Sequence, residues 1–475
     1  MEKIEMKIVE GISRADGLAD EDRDTAVKLM KVWRQKNERN LLREKYYLGH
    51  VRVRDLGIAM PKSLAQKIDP RIDWPRKAVH ALADRSVLNG YTSDDEAVTE
   101  ELRGIYTANS LDLLYRKNLI CELKHCCGFW TVTDDGGGYP VISAYPATAA
   151  AALWDDARKE IEAGLVVAES KKMPGDTERV PTVVHLFTAD SLVVLTRAGG
   201  AWRAEYREHS MGRCLMEPMA HGATLERPFG TSRITRAVMS ITDDAIRQRA
   251  RMEVAAESAT LPQMWLLGTD KRVTNDGNRY SASMGAINEV TKDADGDAPT
   301  VWQSSQLQMA PLTEYFRALA CQMSSVTDVP VSFFGVSNDN PSSSDAIAAS
   351  LEPLVIDAKN LNAENGHALR NVAYMALAVL HGTDFATERD AGNNVNARFM
   401  SPAYPSVVSQ SDAMLKQAQA FPKVAASDVA LEMLGYTDEQ MQRINSDYKR
   451  AQANQAVLSL LTPKEDGDGD TAQPA

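Results

Sequence analysis

The order of elements in the second half of the chain places the strongest limit on its fold. Residues 232–260 and 344–381 each carry a long helical pattern, and residues 311–328 carry a shorter one. Two apolar strands, at residues 264–267 and 301–303, flank turns rich in Gly, Asn and Asp between the first and the shorter helix. The apolar stripe on the first helix is narrow, so a single chain covers it poorly. This order predicts a helical projection that needs neighbouring subunits, as a closed ring supplies.

The first half of the chain predicts an α+β body. The 475 residues are enough for roughly two to four domains. Helical patterns cover residues 20–50, 74–90 and 94–123, and an alternating stretch then turns at residues 135–137. The short strands that follow predict a mostly antiparallel sheet packed on the N-terminal helices. We interpret residues 211–234 as a linker rich in turn residues.

Composition and charge narrow the classes of function. No apolar run reaches the roughly 18 residues of a membrane-spanning helix. The charged start of the chain has no apolar signal-peptide core, so we expect no membrane association and an origin in a cytoplasm. The formal net charge of −12 disfavours tight, static binding to nucleic-acid phosphates.

The five cysteines form neither a disulfide pattern nor a zinc pattern. Their odd number argues against a disulfide framework in so long a chain. Cys121, His125, Cys126 and Cys127 lie close together, but their spacing differs from that of the common zinc knuckles and no second pair follows. We therefore predict free thiols buried near a hairpin.

Motifs of the common enzyme classes do not occur in the sequence. It contains no Gly-x4-Gly-Lys-Ser/Thr loop, no His-Glu-x-x-His pair and no Gly-x-Ser-x-Gly elbow. The adjacent pairs Asp94-Asp95 and Asp243-Asp244 are not spaced to share one helix face, so they support a metal-dependent nuclease only weakly. The sequence therefore predicts a protein that is not an enzyme, with no catalytic residue, metal or cofactor.

One polar loop leads into the last long helix. The stretch "VPVSFFGVSNDNPSSSDAIAASLEPL", residues 329–354, passes through Phe333 and Phe334 before the loop's tip. The tip has no Lys or Arg and contains Val336, Ser337, Asn338, Asp339, Asn340, Pro341 and Ser342. Ser342 has the spacing of a capping box with Asp345, and Pro353 predicts a kink or a restart of the helix. Without a base, a metal site or a phosphate cradle nearby, the loop suits the lining of a passage better than catalysis.

Several stretches together resemble the portal proteins of tailed bacteriophages, in particular the long-tailed-phage type related to the Bacillus-phage portal family. "YYLGH" follows an early charged helix, and "PFGTSRI" leads into the first long helix. "ALACQMSSVTDVPVSFFGVSNDNPSSSDAIAA" resembles the family's second stem helix, proline-containing turn, tunnel loop and helix start. The resemblance covers residues 40–461, and the order of the motifs is its specific part.

The resemblance implies a portal fold of the α+β class, with an α/β wing, a helical stem, a small β-containing clip, a tunnel loop and a C-terminal helical crown. The wing is split in sequence by the stem, the clip and the loop. The implied boundaries are 1–231 for the first part of the wing, 232–261 and 311–328 for the stem helices, 262–310 for the clip, 329–343 for the tunnel loop, 344–404 for the second part of the wing, 405–463 for the crown and 464–475 for a disordered acidic tail.

The resemblance also implies a role and partners. Portal proteins of this family form dodecameric rings at one capsid vertex, through which double-stranded DNA is packaged and ejected. The implied partners are further copies of the chain, the terminase large subunit, a head-completion adaptor, and the major capsid and scaffolding proteins. The implied location is the portal vertex of the virion, after assembly in the host cytoplasm, and no cofactor is implied. The alternatives are a metal-dependent nuclease and a scaffold or adaptor of head morphogenesis without a channel.

Within this family map the polar tip lines the DNA channel, where Ser and Asn side chains exchange hydrogen bonds with water and phosphate at little cost. Phe333 and Phe334 anchor the loop base; stacking on DNA is the weaker alternative, because a duplex exposes no base faces. Arg247 and Arg251 share a face of the first stem helix, where they pair with a neighbouring subunit's carboxylates or face the bore. The mixed charges of this helix favour pairing, and we count Arg233 among its solvated charges.

Overall fold

The computed structural model describes residues 11–52, 68–172, 179–260, 264–267, 287–289, 300–303, 308–336, 343–403, 407–425, 427–436 and 438–461. The first half is a body of helices and strands, and the second half adds two further helices around a small β unit, a long helix and a helical C-terminal group. The mixture of helices with mainly antiparallel strands confirms the α+β class. Within the described ranges, every helix is too short or too polar to span a bilayer.

Among the described residues of the body, four α-helices come before its main strands. They are α1 (Asp20–Tyr47), α2 (Trp74–Ala83), α3 (Glu96–Ala108) and α4 (Leu111–His125). Pro75 lies in the first turn of α2, where a backbone N–H would have no helical partner. Asp95 caps α3, because its carboxylate accepts a hydrogen bond from the Ala97 N–H at 2.9 Å. Cys126, with a φ of 92°, ends α4 and turns the chain into a long strand.

The described part of the body contains nine strands. They are β1 (Leu88–Thr92), β2 (Cys127–Asp134), β3 (Pro140–Pro146), β4 (Ala150–Asp155), β5 (Glu160–Lys172), β6 (Arg179–Phe187), β7 (Ser191–Ala198), β8 (Ala201–Glu208) and β9 (Met216–Ala220). One antiparallel sheet has the order β4-β5-β6-β7-β8, and a second has the order β3-β2-β9. The hairpin predicted to turn at residues 135–137 is confirmed as β2 and β3.

Two apolar clusters cover the two faces of the five-stranded sheet. One lies between the sheet and α1, and it contains Trp33 and Leu165, which are 1% and 0% exposed. The other contains Val166 and Trp130, both 0% exposed, and extends to the other helices. Leu165 and Val166 belong to different clusters because successive strand residues point to opposite faces. The predicted packing of an antiparallel sheet on an N-terminal helix is confirmed.

The second half of the chain supplies the remaining elements. They are α5 (Arg236–Thr260), β10 (Met264–Leu267), β11 (Ile287–Glu289), β12 (Thr300–Gln303), α6 (Ala310–Thr327), α7 (Ser344–His381), α8 (Phe385–Asp390), β13 (Asn396–Phe399), α9 (Val407–Ala420), α10 (Pro422–Ala425), α11 (Asp428–Met433) and α12 (Asp438–Leu461). α7 runs on through Pro353, so the predicted restart there is wrong. Its cap is Ser343 rather than Ser342, since the Ser343 hydroxyl accepts from the Ala346 N–H at 3.2 Å.

Three strands correct the sequence-based boundaries. The helix predicted to run to Gly90 ends at Ala83, and residues 88–92 form β1, which pairs antiparallel with β13. Residues 216–220, interpreted as part of a linker, form β9 and pair with β2. β4, at one edge of the five-stranded sheet, was not predicted at all. In each case the sequence near the strand lacks a strong local signal for it.

A cluster of charged side chains joins α1 to the end of α4. One carboxylate oxygen of Glu44 lies 2.6 Å from Lys124 Nζ and 2.9 Å from His125 Nε2. Burial by itself would raise the pKa of Glu44, but hydrogen bonds from His125 and Lys124 and the charge of Lys124 lower it to about 2. Burial lowers the pKa of His125, so the ring is neutral near pH 7 and donates through Nε2. The charged form of Glu44 therefore stabilises the fold.

We expect Glu44→Gln to lower the melting temperature near pH 7, with a difference that shrinks in acid. The folded-state pKa lies below the ordinary value of 4.5, so the contribution is complete above pH 4.5 and is lost as the pH falls through about 2. Thermal unfolding of both proteins across this range measures the difference. Glu38→Gln removes the same charge from an exposed position on α1 and is the control. A difference that stays constant in acid would contradict the prediction.

Candidate functional site at the base of the helix pair

Helices α5 and α6, called the helix pair below, lie antiparallel to each other. Gln248 Nε2 in α5 donates to the Leu312 carbonyl at 2.8 Å, near the start of α6. Arg233, just before α5, donates to the carbonyl of Thr327, the last residue of α6. Between the two helices in sequence, β10 pairs antiparallel with β12 and parallel with β11. The two strands predicted around residues 264–267 and 301–303 are confirmed, and the structure shows in addition that they pair.

Arg233 fastens the base of the helix pair to the body. Its Nε donates to the Ala78 carbonyl in α2 at 2.9 Å, its Nη1 to the Asp357 carboxylate in α7, and its Nη2 to Thr327 in α6. The residue is 8% exposed, so the charge is nearly removed from water and depends on these acceptors. A planar guanidinium with several fixed donors suits three acceptors in different directions. The base of α5 is thus held to three other helices through one side chain.

The chain just before Arg233 is fixed to the end of α4. Ser232 Oγ donates to the Lys124 carbonyl at 2.7 Å, and the Arg233 N–H donates to the Leu123 carbonyl at 2.9 Å. These bonds hold the backbone out of a helix, so α5 begins at Arg236 and not at Ser232. The motif "PFGTSRI" is therefore the structural junction between the body and the helix pair.

Sequence reasoning missed this role of Arg233. Its assignment to the solvated charges of the first long helix is wrong, because the side chain is buried. The available signal was its position directly before Ile234, the first residue of the buried stripe, which is 0% exposed. An arginine at such a boundary must find several acceptors if it is buried. The acceptors themselves come from distant segments, which no local pattern identifies.

The base of the predicted tunnel loop packs against α2 and α6. The Phe334 ring is 4% exposed and meets the Trp74 ring edge-on at 5.7 Å, and Trp74 lies 5.2 Å from Phe316. Phe333 is 37% exposed, and its ring lies 4.8 Å from Lys77 Nζ. Phe334 is therefore placed as an anchor requires, whereas Phe333 is partly in solvent.

Gly335 and Val336 lead out of this base. Gly335 has a φ of 86°, a conformation that favours glycine, and Val336 is half-buried beside the main core cluster. Ser343 then caps the start of α7 on the other side of the loop. The rest of the tip lies outside the described residues, namely Ser337, Asn338, Asp339, Asn340, Pro341 and Ser342. The structure thus describes where the tip leaves the protein and where it rejoins it.

We expect Phe334→Ala to lower the free energy of unfolding by about 3 kcal/mol, because it leaves a cavity and removes an aromatic pair. Phe333→Ala removes the same atoms from a half-exposed position and should cost less than about 1 kcal/mol. Chemical denaturation of the two variants measures both values. Equal losses would contradict Phe334 as the residue that anchors the loop base.

Arg247 and Arg251 lie in different surroundings on α5. Arg247 Nη1 lies 2.7 Å from the carboxylate of Asp244 in the same helix, whereas Arg251 is exposed one turn further on. Asp243 accepts from the Tyr46 hydroxyl on both carboxylate oxygens at 3.0 Å. Burial raises the pKa of Asp243, against the opposing effects of Tyr46 and Arg247. Arg251 is therefore better placed than Arg247 to meet a neighbouring subunit or a passage.

The described residues give no support to the nuclease alternative. In the part of the chain that the structure covers, no group of three or more His, Cys, Asp or Glu side chains is arranged to hold a metal ion. The carboxylates of Asp94, Asp95, Asp243 and Asp244 each accept a hydrogen bond or an ion pair within the chain. The five cysteines are free thiols, and Cys127 and Cys214 are buried.

Apolar side chains are uncovered on the helices of the second half. Tyr315 and Val326 on α6 and Ile347 and Ile356 on α7 are between 42% and 51% exposed. The C-terminal helical group exposes further large apolar side chains, namely Leu415, Phe421, Val429, Met433, Tyr436, Ile444 and Tyr448. The helical spacing of apolar residues in the last long helix predicts a buried stripe that begins at Ile347 and includes Leu354 and Leu369, and for Ile347 this prediction is wrong in the single chain. Apolar surface of this extent is typical of an interface with another protein.

The structure is thus that of an α+β protein with a helix pair fixed to its body by a buried arginine. Apolar helix surface stays exposed in the single chain, which is typical of a subunit of a larger assembly. Comparison with known proteins shows which proteins this chain resembles. The chain is 25% identical over 386 residues to the portal protein of Mycobacterium phage L5, which covers 78% of this chain and 77% of that protein. It is 24% identical over 433 residues to the portal protein of Mycobacterium phage D29, with 87% of each covered. The resemblance to phage portal proteins is confirmed over most of the chain.

Other comparisons add less. No family model matches the chain. A structure titled as the virion of a native gene transfer agent particle overlaps with a TM-score of 0.41 at 12% identity, over 73% of this chain and 85% of that one. A structure of the neck of an empty particle of this kind, computed with C6 symmetry, gives 0.42 at 13% identity, over 73% and 86%. Structural overlaps with TM-scores this low establish neither the fold nor the role of this chain.

Proposed function

We propose that the chain is the subunit of a phage portal ring at one capsid vertex, through which double-stranded DNA is packaged and ejected. The observation that carries the proposal is the helix pair, whose base is locked to the body while its outer apolar side chains stay uncovered. Tyr315 and Val326 of α6 stay exposed within the part of the chain that the structure describes, and so does Ile356 of α7. Copies arranged around an axis cover such surfaces by repeating one contact. The similarity to two phage portal proteins supports the same conclusion.

The order of the described elements supports the family's domain map, which we retain as part of the proposal. In this map the helix pair is the stem, the unit of β10, β11 and β12 is the clip, and α9 to α12 form the crown. The proposed ranges are 1–231 and 344–404 for the wing, 232–261 and 311–328 for the stem, 262–310 for the clip, 329–343 for the tunnel loop, 405–463 for the crown and 464–475 for the tail.

The proposed partners follow from this map. The clip connects the end of α5 to the start of α6, so it lies at the end of the helix pair away from Arg233. We assign it the docking of the terminase large subunit during packaging and of the head-completion adaptor afterwards. The wing and crown would meet the capsid and scaffolding proteins inside the virion, and the tunnel loop would meet the DNA in transit. Arg251 would meet a neighbouring subunit or the bore.

Purified full-length protein, without metal or nucleotide, should form a large oligomer with a central hole. Light scattering after gel filtration and negative-stain microscopy measure this. Tyr315→Glu combined with Ile356→Glu should weaken the ring, because a charge in an apolar interface is costly. Leu225→Glu changes an exposed residue of the body, 96% exposed, and is the control. A monomer at tens of micromolar would refute the ring, and a compact oligomer without a hole would favour the scaffold alternative.

A further inference from the structure

A cavity of about 840 Å³ lies between α1, β4 and the segment that leads into α5. Its volume is in the range of about 300–1,000 Å³ that is common for ligand pockets. Trp33 and Phe129 form apolar parts of its wall, and Ala150, Ala151 and Ala152 of β4 form another part. None of the functions proposed above uses this cavity.

The residues that line the cavity are mostly cationic, although the chain as a whole is acidic. The formal net charge of the chain is −12, yet the charged residues lining the cavity are five cations and the single carboxylate of Glu226. The cations are Lys36, Arg39 and Arg43 of α1, together with Arg227 and Arg236. The spacing of the first three, at three and four residues, places them on one face of the helix. Among the described residues, none of the five forms an ion pair with a carboxylate.

The pKa of Cys126 is affected by two of these cations. Its thiol lines the cavity, and a hydrogen bond with Cys127 lowers its pKa, with the charges of Arg43 and Lys36 acting in the same direction against burial. Arg43 also donates to the His125 carbonyl at 3.1 Å, which holds its guanidinium near the thiol. Two of the cavity's cations thus favour the thiolate form of Cys126, in addition to the larger effect of Cys127.

The backbone of β4 adds hydrogen-bonding groups to the same wall. β4 lies at one edge of the five-stranded sheet and pairs with β5 only. The Val167 N–H donates to the Ala149 carbonyl at 2.8 Å, in register with the pairing of Ala151 and Leu165. Because antiparallel strands alternate, the amide groups of Ala150 and Ala152 point away from β5. Both residues are buried, at 3% and 4% exposed, and these groups have no backbone partner in the described part of the chain.

We propose that this cavity binds an extended acidic peptide segment of a partner protein, which adds a strand beside Ala150 and Ala152 while its carboxylates meet Lys36, Arg39 and the other cations. Main-chain hydrogen bonds to an open sheet edge give such binding its affinity, and side-chain pockets give it specificity. A strand added there would lie at the usual spacing of about 4.8 Å from β4. The proposal does not depend on the ring described above.

Size favours a peptide strand over nucleic acid as the occupant. A B-DNA duplex, whose major groove alone is about 12 Å wide, does not enter a cavity of about 840 Å³. An extended peptide strand fits this cavity, and its N–H and C=O groups can pair with both the carbonyls and the N–H groups of β4. A phosphate backbone has acceptors but no N–H donors, so it can pair only with the N–H groups. The cations and the sheet edge together therefore select a polypeptide that carries carboxylates.

Fluorescence anisotropy on the full-length protein tests the proposal. The probe is a fluorescein-labelled peptide of about eight residues in which aspartate and valine alternate, long enough for one strand. We expect binding that is weakened by about tenfold or more in Lys36→Glu/Arg39→Glu, because two attractions become repulsions. Lys28→Glu/Lys31→Glu makes the same charge change at exposed positions of α1 outside the cavity, and should bind as the unmodified protein does. Circular dichroism and melting temperature check that all proteins are folded.

A second probe separates strand addition from simple charge attraction. The same peptide with all backbone amides N-methylated keeps its carboxylates but has no N–H to donate, so we expect it to bind about tenfold more weakly or worse. Equal binding of the two peptides would overturn strand addition. Absence of binding, or equal loss in both charge variants, would overturn the site. A short DNA duplex that binds through Lys36 and Arg39 where the peptide does not would show a phosphate site instead and would also overturn the proposal.

Discussion

Replacing Arg233 with methionine should lower the free energy of unfolding by about 4 kcal/mol, within the range for breaking a buried ion pair from one side. Methionine fills a similar volume but donates no hydrogen bond. The buried carbonyls of Ala78 and Thr327 would lose their charged donor, and so would the partly exposed Asp357 carboxylate. Urea unfolding of the full-length protein, followed by far-UV circular dichroism, measures the loss.

Arg251→Met is the matched control for this prediction. It removes the same charge from an exposed position in α5, the helix that follows Arg233, so its effect should stay within about 0.5 kcal/mol. Arg233→Lys keeps the charge but has one ammonium in place of a planar fork, so its effect should lie between the two. If Arg233→Met and Arg251→Met were equally stable, the helix pair would not depend on Arg233 for its attachment to the body.

The elements predicted correctly from sequence are those whose signals are local. The strands around residues 264–267 and 301–303 were found because apolar runs stand between turn residues, and the helix start at Ser344 was found because polar cap residues precede an apolar stripe. The stripe itself was mostly right, as Leu354 and Leu369 are fully buried. Local patterns of this kind do not depend on what the rest of the chain does.

The strands that were missed depend on partners far away in sequence. Leu88 pairs with Phe399, so β1 depends on a strand far away in sequence, while its own Asn89-Gly90 is typical of a helix end. β9 contains Pro218 and turn-forming neighbours, yet it pairs with β2 from Cys127 onward. β4 is rich in alanine, which is depleted in strands, and is stabilised by the long strand β5. Tertiary pairing outweighs weak local propensity in all three.

The same limit applies to the candidate site. The sequence could indicate a loop with a phenylalanine base, because the apolar and polar residues are adjacent. It could not indicate which phenylalanine is buried, since that depends on Trp74 and Phe316. It also could not indicate that Arg247 finds Asp244 in its own helix while Arg251 stays exposed, because the same spacing permits several pairings.

Placing lysine at Ser337, Asn338, Asn340 and Ser342 together should leave ring assembly intact but reduce the yield of DNA-filled heads by about tenfold or more. This prediction rests on the proposed portal function. Each lysine that contacts a phosphate releases counterions and adds affinity, and the ring repeats the change in every subunit. The tip that now carries no Lys or Arg would then hold the DNA at each step. Electron microscopy of heads from cells that express the variant portal counts filled and empty particles.

An uncharged control variant shows whether the loss of packaging comes from the added charge or from the changed size of the side chains. Replacing the same positions with glutamine or threonine changes their size but adds no charge, so packaging should stay close to normal. Phe334 and the cap of α7 at Ser343 fix both ends of the loop, so neither set of substitutions removes a described contact of the body. A partial rescue of the lysine variant at raised ionic strength in packaging extracts would identify phosphate contact as the cause. Normal packaging by the lysine variant would show that the tip does not meet the DNA, and the assignment of residues 329–343 as the tunnel loop would be lost.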